Sequence, residues 1–129
     1  MKKLFFLLLV LMMLSACGQA KENGQEAVYV NITAEEAKQI MDTEEGYIIL
    51  DVRTQEEYDQ GHISGAVLIP NTEIEERAEE ELPDKDQLIL VYCRSGNRSK
   101  KAAQILGELG YTNIKEFGGI IDWPYEVEK

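Results

Sequence analysis

Apolar residues fall along this chain in short runs that alternate with longer stretches of helical spacing. Val28-Tyr29-Val30 reads as a first strand, and Thr33-Ala34-Glu35-Glu36 as a capping box opening a helix whose Ala37, Ile40 and Met41 share one face. Tyr47 to Leu50 is a second strand. Thr54 caps a short helix through Tyr58 that Gly61 ends, and Ala66 to Ile69 is a third strand, stopped by Pro70. Thr72 with Glu75 repeats the capping box. The helix it opens carries Ile74, Ala78 and Leu82 on one side, and its many glutamates form a solvated face on the other.

Leu88 to Tyr92 is the most apolar strand, and it is expected at the centre of a parallel sheet, buried on both faces. From Ser99 onward Ala102, Leu106 and Leu109 mark a buried helical stripe, Gly110 supplies a left-handed terminus, and Asn113 to Phe117 forms a last strand. The alternation predicts an α/β fold with no internal repeat and no second domain. Ligands of open parallel sheets bind beyond the carboxyl ends of the strands, and both Asp51 and Cys93 fall there.

Between the central strand and the last helix lies Cys93-Arg94-Ser95-Gly96-Asn97-Arg98-Ser99. A short polar loop feeding a helix N-terminus can aim several backbone N–H groups at one centre, where they stabilise an anion. Cys93 is the candidate nucleophile, with Arg94 and Arg98 as cations beside the sulfur. A thiolate, a persulfide or an oxyanion substrate would suit such a cradle.

Loop length separates these anions. In phosphatases and arsenate reductases of the Cys-x5-Arg type the arginine stands six residues after the cysteine, whereas here it stands at five and Ser99 occupies the sixth. The chain resembles the rhodanese family of sulfurtransferases, whose active-site loop has the six-residue length of Cys93 to Arg98. The resemblance continues through Ile48-Ile49-Leu50-Asp51-Val52-Arg53, Glu56-Glu57-Tyr58, Gly61-His62-Ile63-Ser64-Gly65-Ala66 and Gly118-Gly119-Ile120-Ile121-Asp122-Trp123, covering roughly residues 28 to 125. It implies five parallel strands with helices on both faces. It also implies a persulfide on Cys93, held by the loop of Arg94, Ser95, Gly96, Asn97 and Arg98. Gly96 would allow close backbone approach, and Arg94 or Arg98 would bind the donor's sulfonate end. Asp51 and Arg53 are read as ion-paired supports.

The N-terminal residues carry a different signal. Lys2 and Lys3 precede an unbroken apolar run from Leu4 to Leu14, too short for a bilayer core that needs about twenty residues. Its end, Leu14-Ser15-Ala16-Cys17, looks like the lipobox of bacterial lipoproteins. Residues 1–16 are then a signal peptide, Cys17 a lipidated anchor carrying palmitate or a similar chain, 17–27 a polar tether, and 28–129 the rhodanese-like domain. The expected location is the outer face of the bacterial cytoplasmic membrane, or the periplasm where an outer membrane exists. Only two cysteines are present, so a lipidated Cys17 leaves Cys93 a single thiol in an oxidising compartment. The chain has 24 acidic and 13 basic residues; loss of Lys2 and Lys3 takes the net charge from −11 to −13. Nucleic acid is therefore an unsuitable partner, and lipid, not a polybasic patch, must hold the membrane.

The reading that follows is a membrane-anchored sulfurtransferase moving sulfane sulfur from thiosulfate or a polysulfide to a thiol or cyanide-like acceptor. A monomer is expected. No cofactor is called for, and one histidine and one free cysteine far apart give no metal-ligand cluster. A dyad of Cys93 with His62 would make a thiol hydrolase, but His62 lies in a Gly-His-Ile element that is mostly structural in the family. Two other classes stay open from sequence: an arsenate reductase or phosphatase, and a noncatalytic sulfur-carrier or docking module.

Overall fold

The computed structural model describes residues 28–129; the expected signal peptide, Cys17 and the tether lie outside the described residues. Five strands, β1 (Val30–Asn31), β2 (Ile48–Asp51), β3 (Val67–Leu68), β4 (Ile89–Cys93) and β5 (Ile114–Gly119), form one sheet in the order β1-β5-β4-β2-β3. Every pairing in it is parallel. Four helices connect the strands: α1 (Ala34–Thr43), α2 (Gln55–Gln60), α3 (Ile74–Glu81) and α4 (Asn97–Glu108). Among the described residues no helix is long and apolar enough to cross a membrane.

Strand periodicity divides the core into two layers. Successive residues of β4 point to opposite faces, so Ile89, Val91 and Cys93 join Leu50, Val52 and the buried stripes of α3 and α4. Leu90 and Tyr92 join Ile49, Phe117, Trp123 and the Ala37 and Ile40 face of α1. All five residues of β4 are buried, as a central parallel strand with helices on both sides requires. Each fully buried Leu or Ile contributes about 1.5–3 kcal/mol relative to exposure.

Capping boxes open α1 and α2: Thr33 and Glu36 exchange bonds of 3.0 and 2.9 Å with each other's backbone amides, and Thr54 and Glu57 do the same. The expected box at Thr72 and Glu75 does not form. Pro70 starts a 3-10 turn over Asn71–Glu73, closed by the Glu73 amide on the Pro70 carbonyl at 2.8 Å. Thr72 is thus already inside a turn and lacks the extended backbone of a capping residue; α3 starts without a side-chain cap. Most other boundaries shift by one or two residues: β2 runs Ile48–Asp51, β3 only Val67–Leu68 and β5 on to Gly119. β1 lies two residues further on than Val28, α4 starts at Asn97 instead of Ser99, and Cys93 is the last residue of β4, not the first of the loop.

The carboxyl ends of β2 and β4 are tied together by a polar network on the α1 face. Asp51, fully buried, accepts hydrogen bonds from the Tyr92 hydroxyl at 2.7 Å and from Arg53 Nη2 at 2.7 Å and Nε at 2.9 Å. Arg53 also donates to the Gly61 carbonyl at 2.7 Å, and the Ile63 amide donates to Tyr92 Oη at 3.1 Å. Burial and the adjacent Asp51 charge push the Tyr92 phenol well above its usual range, so it stays a neutral donor. Removal of one member of such a buried pair leaves the other uncompensated. Asp51→Ala is expected to lower unfolding free energy by about 3–5 kcal/mol in urea titrations. Tyr92→Phe, which orphans the Ile63 amide but keeps the ion pair, should cost about 1–3 kcal/mol.

Candidate active site

The site forms where β4 ends against a bulge in β5. Val91 pairs with Glu116, but Cys93 pairs with Gly119, so β5 holds one extra residue across that step, and Gly118 takes up the kink with φ +89°. Glu116, paired with Val91 ahead of the bulge, shares the Cys93 face, and the bulge brings Gly119 under the loop. A Cβ on Gly119 would lie 1.9 Å from the Arg94 carbonyl oxygen. Gly119 is therefore the residue that permits close backbone approach. The expectation for Gly96 is corrected accordingly: a Cβ there would meet only ordinary contacts, and what requires glycine is its left-handed φ of +105° at the N-cap of α4. The Ile121 amide donates to the Arg94 carbonyl at 3.2 Å and fixes the loop from below.

Cys93 is 1% exposed, at the floor of this cradle. The Gly96 amide donates to its Sγ at 3.0 Å, and Ser99 Oγ lies 3.4 Å away. Burial pushes the thiol up, but the Ser99 hydroxyl and the amides of Ser99, Gly96 and Ser95 more than offset it, so the thiol lies below its ordinary value of 9.0. This is the arrangement in which a loop and a helix N-terminus hold an anion with dipoles instead of a charge.

The arginines behave differently from each other. Arg98 makes a two-pronged ion pair with Glu57, Nη1 to Oε1 at 2.7 Å and Nη2 to Oε2 at 2.9 Å, so its charge is largely satisfied by a carboxylate. The pairing holds the Glu57 carboxyl down at about 2. Arg94 is exposed, and its side chain lines a cavity of about 340 Å³ together with Arg53, Glu57, Gly61 and Trp123. Asn97 is exposed at the first position of α4, and Ser95 is exposed in the loop. Asp51 and Arg53 bond to each other on the sheet face opposite the sulfur. His62 stacks on Tyr58 with ring centroids 3.7 Å apart and sets Nδ1 2.9 Å from the Tyr58 carbonyl oxygen. Among the described residues no group of three or more His, Cys, Asp or Glu side chains could hold a metal.

Residues 33–124 match the model of the rhodanese-like domain. The chain belongs to the rhodanese-like family of sulfurtransferases. It is 44% identical over 73 residues to the thiosulfate sulfurtransferase PspE of Escherichia coli, across 57% of this chain and 70% of that protein. It is 41% identical over 98 residues to YrkF of Bacillus subtilis, provisionally named a sulfur carrier protein, across 75% of this chain and about half (52%) of that one. Among solved structures, an E. coli rhodanese with anions aligns at a TM-score of 0.61 and 40% identity, over 64% of this chain and 98% of that chain. A rhodanese-like protein from Staphylococcus aureus aligns at 0.66 and 31%, over 77% and 96%.

Two carboxylates of the site are missing from the sequence reading. Glu57 stood out there only within a family motif, and Glu116 did not stand out at all, although it follows the apolar Ile114 by two positions in the last strand. Alternation from the buried Ile114 would have placed it inward. The site's electrostatics give a direct expectation. The rate of Cys93 alkylation by iodoacetamide follows the thiolate, so its midpoint should lie below pH 9.0.

Proposed function

We propose that this protein is a thiosulfate or polysulfide sulfurtransferase working by double displacement through a Cys93 persulfide. The observation that carries the reading is the placement of the single sulfur of Cys93 at the N-terminus of α4, with the Gly96 amide at 3.0 Å and Ser99 Oγ at 3.4 Å. The thiolate electron pair attacks the outer sulfur of thiosulfate, the sulfur–sulfur bond of the donor breaks, and sulfite departs with the bonding pair. An acceptor such as cyanide or a thiol then takes the outer sulfur, and Cys93 regains its thiolate. The ring from Cys93 to Arg98 is one residue tighter than that of the Cys-x5-Arg enzymes, which favours a transferable sulfur over a tetrahedral oxyanion. Arg94, with no carboxylate partner within salt-bridge distance among the described residues, is the arginine available to a donor's sulfonate; Arg98 is committed to Glu57.

Intact mass spectrometry after exposure of the soluble domain to thiosulfate tests this. One sulfur atom should be gained, removed again by cyanide with release of thiocyanate, and absent from Cys93→Ser. Hydrolysis of an aryl phosphate or reduction of arsenate in excess of any sulfur transfer would overturn it.

The same proposal places the domain at the outer face of the cytoplasmic membrane through lipid on Cys17, on the strength of Leu14-Ser15-Ala16-Cys17 behind an apolar run. A single acyl chain binds membranes only marginally, so stable attachment calls for more than one chain. Cells fed labelled palmitate should incorporate it into the wild-type chain, and Cys17→Ala should abolish the label and free the protein from the membrane fraction.

A further inference from the structure

Glu116 is 2% exposed on the same face of the sheet as Cys93, and its Oε2 accepts from the Gly118 amide at 3.0 Å and from the Ser99 hydroxyl at 2.5 Å. Ser99 Oγ also lies 3.4 Å from Cys93 Sγ, 3.0 Å from the Gly96 carbonyl and 3.4 Å from that of Gly118. A hydroxyl has one hydrogen, so these four acceptors compete for it. With an ionised Glu116 the hydrogen goes to the carboxylate, the nearest acceptor and the charged one. The lone pairs of Ser99 Oγ then accept from the thiol of Cys93. A continuous path runs from Sγ through Ser99 to Glu116.

Charge sets what that path is for. No lysine or arginine among the described residues forms a salt bridge with Glu116, and Arg98, next to Ser99 on α4, is engaged by Glu57. A persulfide anion on Cys93 beside an ionised Glu116 would put two negative charges in one desolvated site, which strongly favours retention of a proton. We propose that Glu116 is a positioning residue that takes up the proton of Cys93 through the Ser99 hydroxyl when the cysteine is sulfurated, so that the site carries a single negative charge throughout. This rests on the persulfide reading. In the step, the thiol proton moves to Ser99 Oγ while the hydrogen of Ser99 moves to Glu116 Oε2. The freed sulfur pair bonds the outer sulfur of thiosulfate, and sulfite leaves as the dianion. Glu116 and thiosulfate enter with three negative charges, and the persulfide and sulfite leave with three. Removal of the outer sulfur by cyanide gives thiocyanate and a thiolate, to which the proton returns by the reverse path.

Infrared difference spectroscopy of the sulfurated minus the reduced protein reads this directly, with the sulfur content of the same sample fixed by mass. In the wild type a carbonyl band of a neutral carboxylic acid should appear on sulfuration and vanish with cyanide; in Glu116→Gln, which keeps a hydrogen-bonding group of the same shape, the band should be lost. A wild type that gains one sulfur without the band overturns the role of Glu116 and leaves the persulfide intact, as does a band that persists in Glu116→Gln. A wild type that gains no sulfur overturns both. The primary reading needs no variant, so misfolding of Glu116→Gln does not blunt it.

Discussion

The backbone contact between Arg94 and Gly119 is the constraint on which the site depends. The loop after β4 can close around Cys93 only if its carbonyl at Arg94 lies where any side chain on Gly119 would be. The β5 bulge supplies that position by inserting one residue between the partner of Val91 and the partner of Cys93. The left-handed Gly96 turns the chain into α4, the Ile121 amide holds the Arg94 carbonyl, and the amides around Sγ are left pointing inward. A backbone cradle of this kind is rigid because it is built from ladder geometry and not from side-chain rotamers.

The electrostatics follow from that rigidity. The chain as a whole is strongly acidic, with a net charge of −11, and its long-range field repels small anions. Anion stabilisation is therefore left to dipoles within hydrogen-bond distance, where solvent screening is weak. The one arginine of the loop that points toward α2 is neutralised by Glu57, the same residue that closes the capping box of α2. That carboxylate couples the loop to the α2 segment. Asp51, Arg53 and Tyr92 tie β2 to β4 on the opposite face, so the floor of the site is braced from behind without adding charge at the sulfur.

Most of the secondary structure is legible because it rests on local rules. Period-two and period-3.6 patterns give the strands and helices, and the Thr-x-x-Glu boxes at Thr33 and Thr54 give two helix starts. The same local rule fails at Thr72, since Pro70 sets the chain turning before the box can form. Local rules also assign the close backbone approach to Gly96 when it belongs to Gly119. The need of Gly119 for a hydrogen in place of a side chain comes from a carbonyl 25 positions earlier in the chain, and no window of sequence contains both.

By itself the sequence determined the α/β alternation, the six-residue loop from Cys93, the single thiol available there and the family to which these point. Each of those is a property of spacing along the chain. Tertiary structure alone decided that Arg98 pairs with Glu57, that Asp51 meets Tyr92 on the face away from the sulfur, and that Glu116 stands behind Ser99. These contacts join residues 41, 41 and 17 positions apart, and they depend on strand order and on the bulge. A register change of one residue moves a side chain to the other face of the sheet, so a carboxylate in β5 becomes part of the site or part of the opposite core only once the strands have paired.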